Sequence, residues 1–154
     1  YTPRLIATMG NHEYRRNRLE SQLPKLIGAL PTPENYLWDK GFEVVPYKQC
    51  IVVDGITYSH LCPQSKSAGA IERPHLIAQK RYASWTVGHT QGLEYFISYH
   101  EPRIQCIIAG SFYDHDEAYK EGANDHWRGI IYKHVYNTRN IVYDPEFINI
   151  ERLK

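Results

Sequence analysis

A chain of 154 residues with 42% hydrophobic and 23% charged side chains has the length and composition of one globular domain, which excludes a disordered tail as its main content. The 18 Lys and Arg against 17 Asp and Glu leave a net charge of +1, too little for a protein that coats a polyanion, so any nucleic acid contact must be local. Cys50, Cys62 and Cys106 stand far apart with no CxxC pair, which argues against a zinc ribbon or a disulfide framework, and no apolar run is long enough to span a membrane. Reduced thiols point to the cytoplasm.

The first residues, Tyr-Thr-Pro-Arg-Leu-Ile-Ala-Thr, read as the lead-in to a strand over 4–9 that stops at Gly10. Their form predicts a chain that belongs to something longer. Leu19, Leu23, Leu26, Ile27 and Leu30 recur at helical spacing within 15–30, with Pro24 as a kink. Residues 31–41 are rich in Pro, Asn and Gly and read as loop. Strands are expected over 42–46 and 49–60, the second folded at Asp54-Gly55, a pair suited to a two-residue hairpin turn. Residues 62–74 read as loop, 75–83 as a short helix, and 85–87 as a strand ending at Gly88.

Two more strands, 93–99 and 103–109, are joined through His100-Glu101-Pro102. Residues 111–125 are acidic, aromatic and irregular. A terminal hairpin is expected from 127–136 and 140–143, turning at 137–140. The sum is one compact α/β unit, strand-rich, with no repeat or linker.

Three of the 8 histidines fall where a strand runs out: His12, His60 and His89. Functional groups gather at strand ends in layered α/β folds. Imidazole nitrogens from His60 and His89, with the amide oxygen of Asn11, suit a borderline divalent ion. The plain reading of each histidine alone is a polar loop residue. Their shared position favours a site.

The strings around them carry a resemblance. Gly10-Asn11-His12-Glu13 matches the GNH(D/E) motif of calcineurin-like metallophosphoesterases, and Gly88-His89-Thr90-Gln91 resembles that superfamily's GHxH. His60 falls between them, where the superfamily has an isolated metal-binding histidine. Ile108-Ala109-Gly110-Ser111-Phe112-Tyr113, followed by His126-Trp127-Arg128-Gly129-Ile130, resembles its phage-borne and bacterial branch. The resemblance runs from Leu5 to about Leu153. It implies a four-layer αββα sandwich, of which 1–154 is a single partial domain.

It also implies a chemistry, hydrolysis of a phosphoester by a phosphatase or a nucleic acid phosphodiesterase. Asn11, His60 and His89 resemble ligands of the second metal ion, His12 the catalytic acid, and Glu13 the carboxylate that orients it. Mn²⁺ is the first choice of metal, with Zn²⁺ or Fe as alternatives. The setting implied is the cytoplasm of a bacterium or a phage-infected host.

Two departures qualify the match. Gln91 stands where the motif has its second His, so it either lies behind the ligands or binds the first metal loosely. The DxH and GDxxD motifs that supply the first metal's ligands and the bridging carboxylate have no counterpart in the 9 residues before Gly10. Asp114-His115-Asp116 has the wrong spacing to replace them. A two-metal centre therefore needs those motifs supplied, and the isolated chain is expected to be weakly active or inactive. Self-association or a complementing N-terminal segment follows as an expectation. The rival reading is a non-catalytic binding or assembly module.

Other residues make weaker claims. Arg128 and His126 are candidates for substrate contact. The small residues 65–69 are a candidate phosphate cradle, though a plain loop is the better reading. Arg15, Arg16 and Arg18 read first as a solvated helix face and second as a contact for a nucleic acid backbone. Tyr113, Tyr119 and Tyr132 are candidates for base stacking, against a default of packing.

Overall fold

The computed structural model describes residues 2–23, 25, 28, 32–64, 69–113, 126–137 and 142–154. Strand β1 (Leu5–Thr8) lies parallel to β2 (Phe42–Val45), and the crossover between them carries α1 (Asn11–Gln22) and α2 (Pro33–Asp39). The central sheet has five strands in the order β3-β4-β7-β9-β8, from β3 (Ile51–Val53), β4 (Ile56–Ser59), β7 (Trp85–Val87), β8 (Leu93–Ile97) and β9 (Gln105–Ala109). Its middle strands β4, β7 and β9 are parallel; β3 and β8 are antiparallel additions at its edges. The β3–β4 turn is the Asp54-Gly55 hairpin read from sequence, with φ of 48° and 72° at the two residues, a conformation that favours Gly and Asp.

The crossover from β4 to β7 carries the two-residue strands β5 (Cys62–Pro63) and β6 (Ala70–Ile71) and helix α3 (Pro74–Arg81). Helix α3 buries Ile77 and Ala78 against Cys62, Trp85, Cys106 and Ile108 on one face of the central sheet. The other face packs Ile56 and Ile107 against Tyr143 of the terminal hairpin, formed by β10 (Gly129–Asn137) and β11 (Val142–Asn149). Burial on both faces explains why β9 reads as a continuous apolar run. The three cysteines are free, and burial pushes the Cys106 thiol up to about 11. No helix among the described residues is long and apolar enough to cross a membrane.

Several elements differ from expectation. Helix α1 begins at Asn11, not at residue 15, and stops at Gln22. Leu23 precedes Pro24, and a residue before proline is driven out of the helical region. Leu19 is 59% and Leu23 51% exposed, while Pro24, Leu26, Ile27 and Leu30 of the expected stripe lie outside the described residues. Residues 33–39 form α2 rather than loop, because Thr32 caps the Asn35 N–H at 3.2 Å and Pro33 takes the first helical position, where proline lacks no needed donor. Strand β11 runs to Asn149, six residues past the expected end, with Pro145 tolerated opposite Lys133. Part of the predicted 137–140 turn, the Asp114-His115-Asp116 loop, residues 65–68 and Tyr119 lie outside the described residues.

Candidate metal centre

Strand β1 ends in buried Met9, whose N–H donates to Val45 O at 2.9 Å, and the chain enters α1 through Gly10. Gly10 serves here by its size, since its φ of −93° is open to any residue. A Cβ at that position would stand 2.7 Å from Glu13 Oε2 and 3.0 Å from His60 Cε1. Only glycine lets the α1 entrance sit this close to the His60 ring. Glu13 Oε2 accepts the Gly10 N–H at 2.9 Å, which holds the first turn and places a negative charge at the helix N-terminus.

His60 directly follows β4, and His89 lies two residues beyond β7. The strands are parallel neighbours with Ser59 opposite Val87, so their ends leave the sheet side by side. The register is locked past the last pair: Gly88 N–H and His89 N–H both donate to His60 O, at 3.0 and 2.7 Å. The two rings therefore meet edge to face with centroids 5.1 Å apart.

Three lone-pair atoms converge as a result. His60 Nε2 is 2.9 Å from Asn11 Oδ1 and 3.1 Å from His89 Nδ1. Neighbouring ligands about 2.1 Å from an octahedral ion are about 3 Å apart, so both separations suit shared coordination. Burial first, then the His89 ring, holds the His60 pKa below its ordinary value, and Glu13 opposes the effect. His60 is thereby kept in the neutral form that a metal needs. Among the described residues there is no cluster of three or more His, Cys, Asp and Glu, because the third donor is an amide. The donor set fits one ion bound through neutral ligands. It does not by itself fit two ions, which need a bridging carboxylate.

His12 is exposed on the first turn of α1 and, with Glu13, His60 and Phe112, lines a 680 Å³ cleft. His12 and Glu13 are adjacent on a helix and so point apart; the Glu13 carboxylate is engaged by the Gly10 backbone. On the other side of the cluster, Asn11 and His89 share a 480 Å³ groove with Arg15, Arg18 and Lys48. Tyr47 packs between this groove and the site, 6.0 Å from the His60 ring and 5.1 Å from the Tyr14 ring.

Gln91 is partly buried on the loop from β7 to β8. His126 and Arg128 sit on the segment that enters β10, where Arg128 bridges to Ser111 and its guanidinium lies 5.2 Å from the Tyr113 ring centre. The structure thus brings Asn11, His60 and His89 into contact, places His12 and Glu13 beside them, and sets Arg128 at the end of β9.

One polar residue escaped the sequence reading. Lys133 packs on the second face of the central sheet, against Tyr58 and Thr86. A signal existed: in Ile131-Tyr132-Lys133 the strand alternation puts Lys133 on the same face as Ile131, which packs into the core. Comparison with family models, with curated proteins and with solved structures gave no match.

Proposed function

We propose that Asn11, His60 and His89 are ligands of one divalent metal ion in a metal-dependent phosphoester hydrolase. The observation that carries this reading is the meeting of His60 Nε2 with Asn11 Oδ1 and His89 Nδ1 at 2.9 and 3.1 Å. Mn²⁺ is the first choice of ion, with Zn²⁺ or Fe as alternatives. Bound metal would supply positive charge at the phosphoryl oxygens and acidify water.

The chain's own residues do the rest. The exposed His12 imidazole, at the mouth of the cleft, is the proton donor to the departing alkoxide oxygen. Glu13 fixes the α1 entrance through the Gly10 N–H and so sets where Asn11 and His12 stand. Arg15, Arg18 and Lys48 line the groove beside Asn11 and His89, a placement suited to the backbone of a nucleic acid phosphodiester. Gln91, on the loop after His89, is a candidate second layer behind the ligands, and Arg128 and His126 are candidates for substrate contact.

The layering also supports the reading. Helix α3 covers one face of the central sheet and the β10–β11 hairpin covers the other, an α-β-β stacking that a partial αββα sandwich would have. The carboxylates of a first metal site come in this reading from a complementing segment or chain, and the chain alone is weakly active.

Calorimetric titration of the chain with Mn²⁺ and Zn²⁺ tests the reading. One ion should bind per chain, and His60→Ala should abolish binding. No binding by the folded chain overturns it. Strong turnover of bis(p-nitrophenyl) phosphate with Mn²⁺, lost in His12→Ala, would sink the expectation of weak activity while keeping the hydrolase.

One observation favours a second reading. The basic groove lined by Arg15, Arg18 and Lys48 suits a non-catalytic binding or assembly module as well as an enzyme. Oligonucleotide binding that depends on Arg15 and Arg18, with no metal bound, would select it.

A further inference from the structure

Lys133 lies on β10 over the face of the central sheet opposite α3. Its Nζ donates to the Tyr58 hydroxyl at 3.0 Å and to Thr86 Oγ1, and it stands 4.3 and 4.9 Å from the ring centres of Tyr58 and Tyr143. Both hydrogen-bond partners are neutral, and no ion pair to Lys133 is found among the described residues. An ammonium taken out of water without a counter-charge either loses its proton or draws in an anion.

The space for an anion is there. Lys133, Tyr58 and Thr86 line a cavity of about 460 Å³, within the range of small-molecule sites. Most of its remaining wall is apolar or backbone, including Ala109, Phe112 and Ile131. Ser111 also lines it, is 92% buried by its 8% exposure, and its Oγ has no hydrogen-bond partner. That oxygen has almost no accessible surface, so it lies behind the cavity wall and does not face a ligand.

We propose that this cavity binds a small carboxylic acid with an apolar tail, its carboxylate held by Lys133 Nζ and its tail against Ala109, Phe112 and Ile131. Charge complementarity selects an anion over a neutral molecule. The apolar wall selects a carboxylate with a hydrocarbon tail over a free inorganic ion. Phe112 also lines the His12 cleft, so the two spaces adjoin, but this cavity contains none of Asn11, His60 and His89 and does not depend on the hydrolase reading.

The protonation states agree. Burial lowers the Lys133 pKa to about 7, against a smaller opposing effect of Cys106. The other titratable groups around it stay neutral between pH 6 and 8.5: burial pushes Tyr58 and Tyr143 upward and Cys106 to about 11. Asp54, at the hairpin turn, acts on Tyr58 from the exposed end of β4. An anion that prefers the ammonium form must therefore bind more tightly below pH 7 than above it.

Hexanoate is the probe and hexanol the uncharged control, each titrated calorimetrically into the full chain. Hexanoate is expected to bind about tenfold or more tightly at pH 6 than at pH 8.5, and at least about tenfold more tightly than hexanol at pH 6. Lys133→Met should abolish the pH dependence and most of the binding. Equal affinity for hexanoate and hexanol, or no pH dependence in the unaltered chain, would overturn the proposal without reference to any variant. Failure of the folded chain to bind hexanoate at millimolar concentration and pH 6 would do the same.

Discussion

The histidine cluster and the Lys133 cavity share one sheet, yet they are built in opposite ways. Asn11, His60 and His89 stand just beyond strand ends, where loops can carry polar groups toward water without disturbing the core. Lys133 stands inside a strand, on a face that otherwise packs Ile56, Ile107 and Tyr143. The first group gathers ring nitrogens and an amide oxygen, which suits a cation. The second offers a donor and a charge, which suits an anion. Strand-end placement keeps the histidines available at little cost to stability, whereas Lys133 carries a desolvation cost that the fold must offset.

The largest expected effect is on the cluster. His60 Nε2 is the atom common to both short contacts, so His60→Ala should weaken Zn²⁺ or Mn²⁺ binding by at least about a hundredfold. His89→Ala removes one contact and should cost less. Equal losses from the two, measured by calorimetry, would break the picture of His60 as the hub.

Gly10→Ala comes next. The added methyl would meet Glu13 Oε2 at 2.7 Å and the His60 ring at 3.0 Å, and neither can move without leaving a hydrogen-bond partner. Overpacking of this kind costs about 1–3 kcal/mol, readable from urea unfolding. Metal affinity should fall with it, because His60 is the group displaced. A fully stable variant that still binds metal would show that the α1 entrance can shift freely.

Lys133 sharpens the contrast through pH. Its folded pKa of about 7 lies below the 10.5 of an unfolded lysine. Between those values the unfolded chain holds the extra proton, so stability rises with pH. The clean window is pH 7 to 8.5, because Cys106, raised to about 11, begins to oppose the trend above pH 9. The expected gain across it is about 1–2 kcal/mol in urea midpoints converted to free energy, and Lys133→Met should flatten the slope. A flat profile in the unaltered chain would mean that Lys133 is hydrated or already paired with an anion.

The two regions also differ in how far the sequence exposes them. Gly10-Asn11-His12-Glu13 and Gly88-His89 are local strings, and the parallel pairing that joins His60 to His89 follows from a strand, helix, strand order visible in the hydropathy pattern. The Asp54-Gly55 turn was legible for the same local reason. Helix α2 was not, because Pro33 and Asn35 count as loop residues until Thr32 is seen as their cap. Leu19 and Leu23 misled, since helical spacing says that a face exists but not that anything covers it. Lys133 needed tertiary knowledge: Tyr58 and Thr86 are 75 and 47 residues away in sequence. No window on the chain joins them.

The smallest effect is the one that best separates two roles for Glu13. If its carboxylate acts mainly by accepting the Gly10 N–H, Glu13→Gln keeps an oxygen in place and loses only the favourable charge at the α1 N-terminus. That loss is worth about 0.3–1 kcal/mol, and metal affinity should change less than about threefold. If instead its charge acts on His60 through space, its upward pull on the His60 pKa competes with metal binding at acidic pH, and Glu13→Gln should strengthen binding there. Titrations at pH 6 and pH 8 distinguish the two, since only a through-space effect grows as pH falls. A role in orienting His12 would appear in neither measurement and would move only turnover, so an unchanged affinity with a lower rate assigns Glu13 to the chemistry and not to the scaffold.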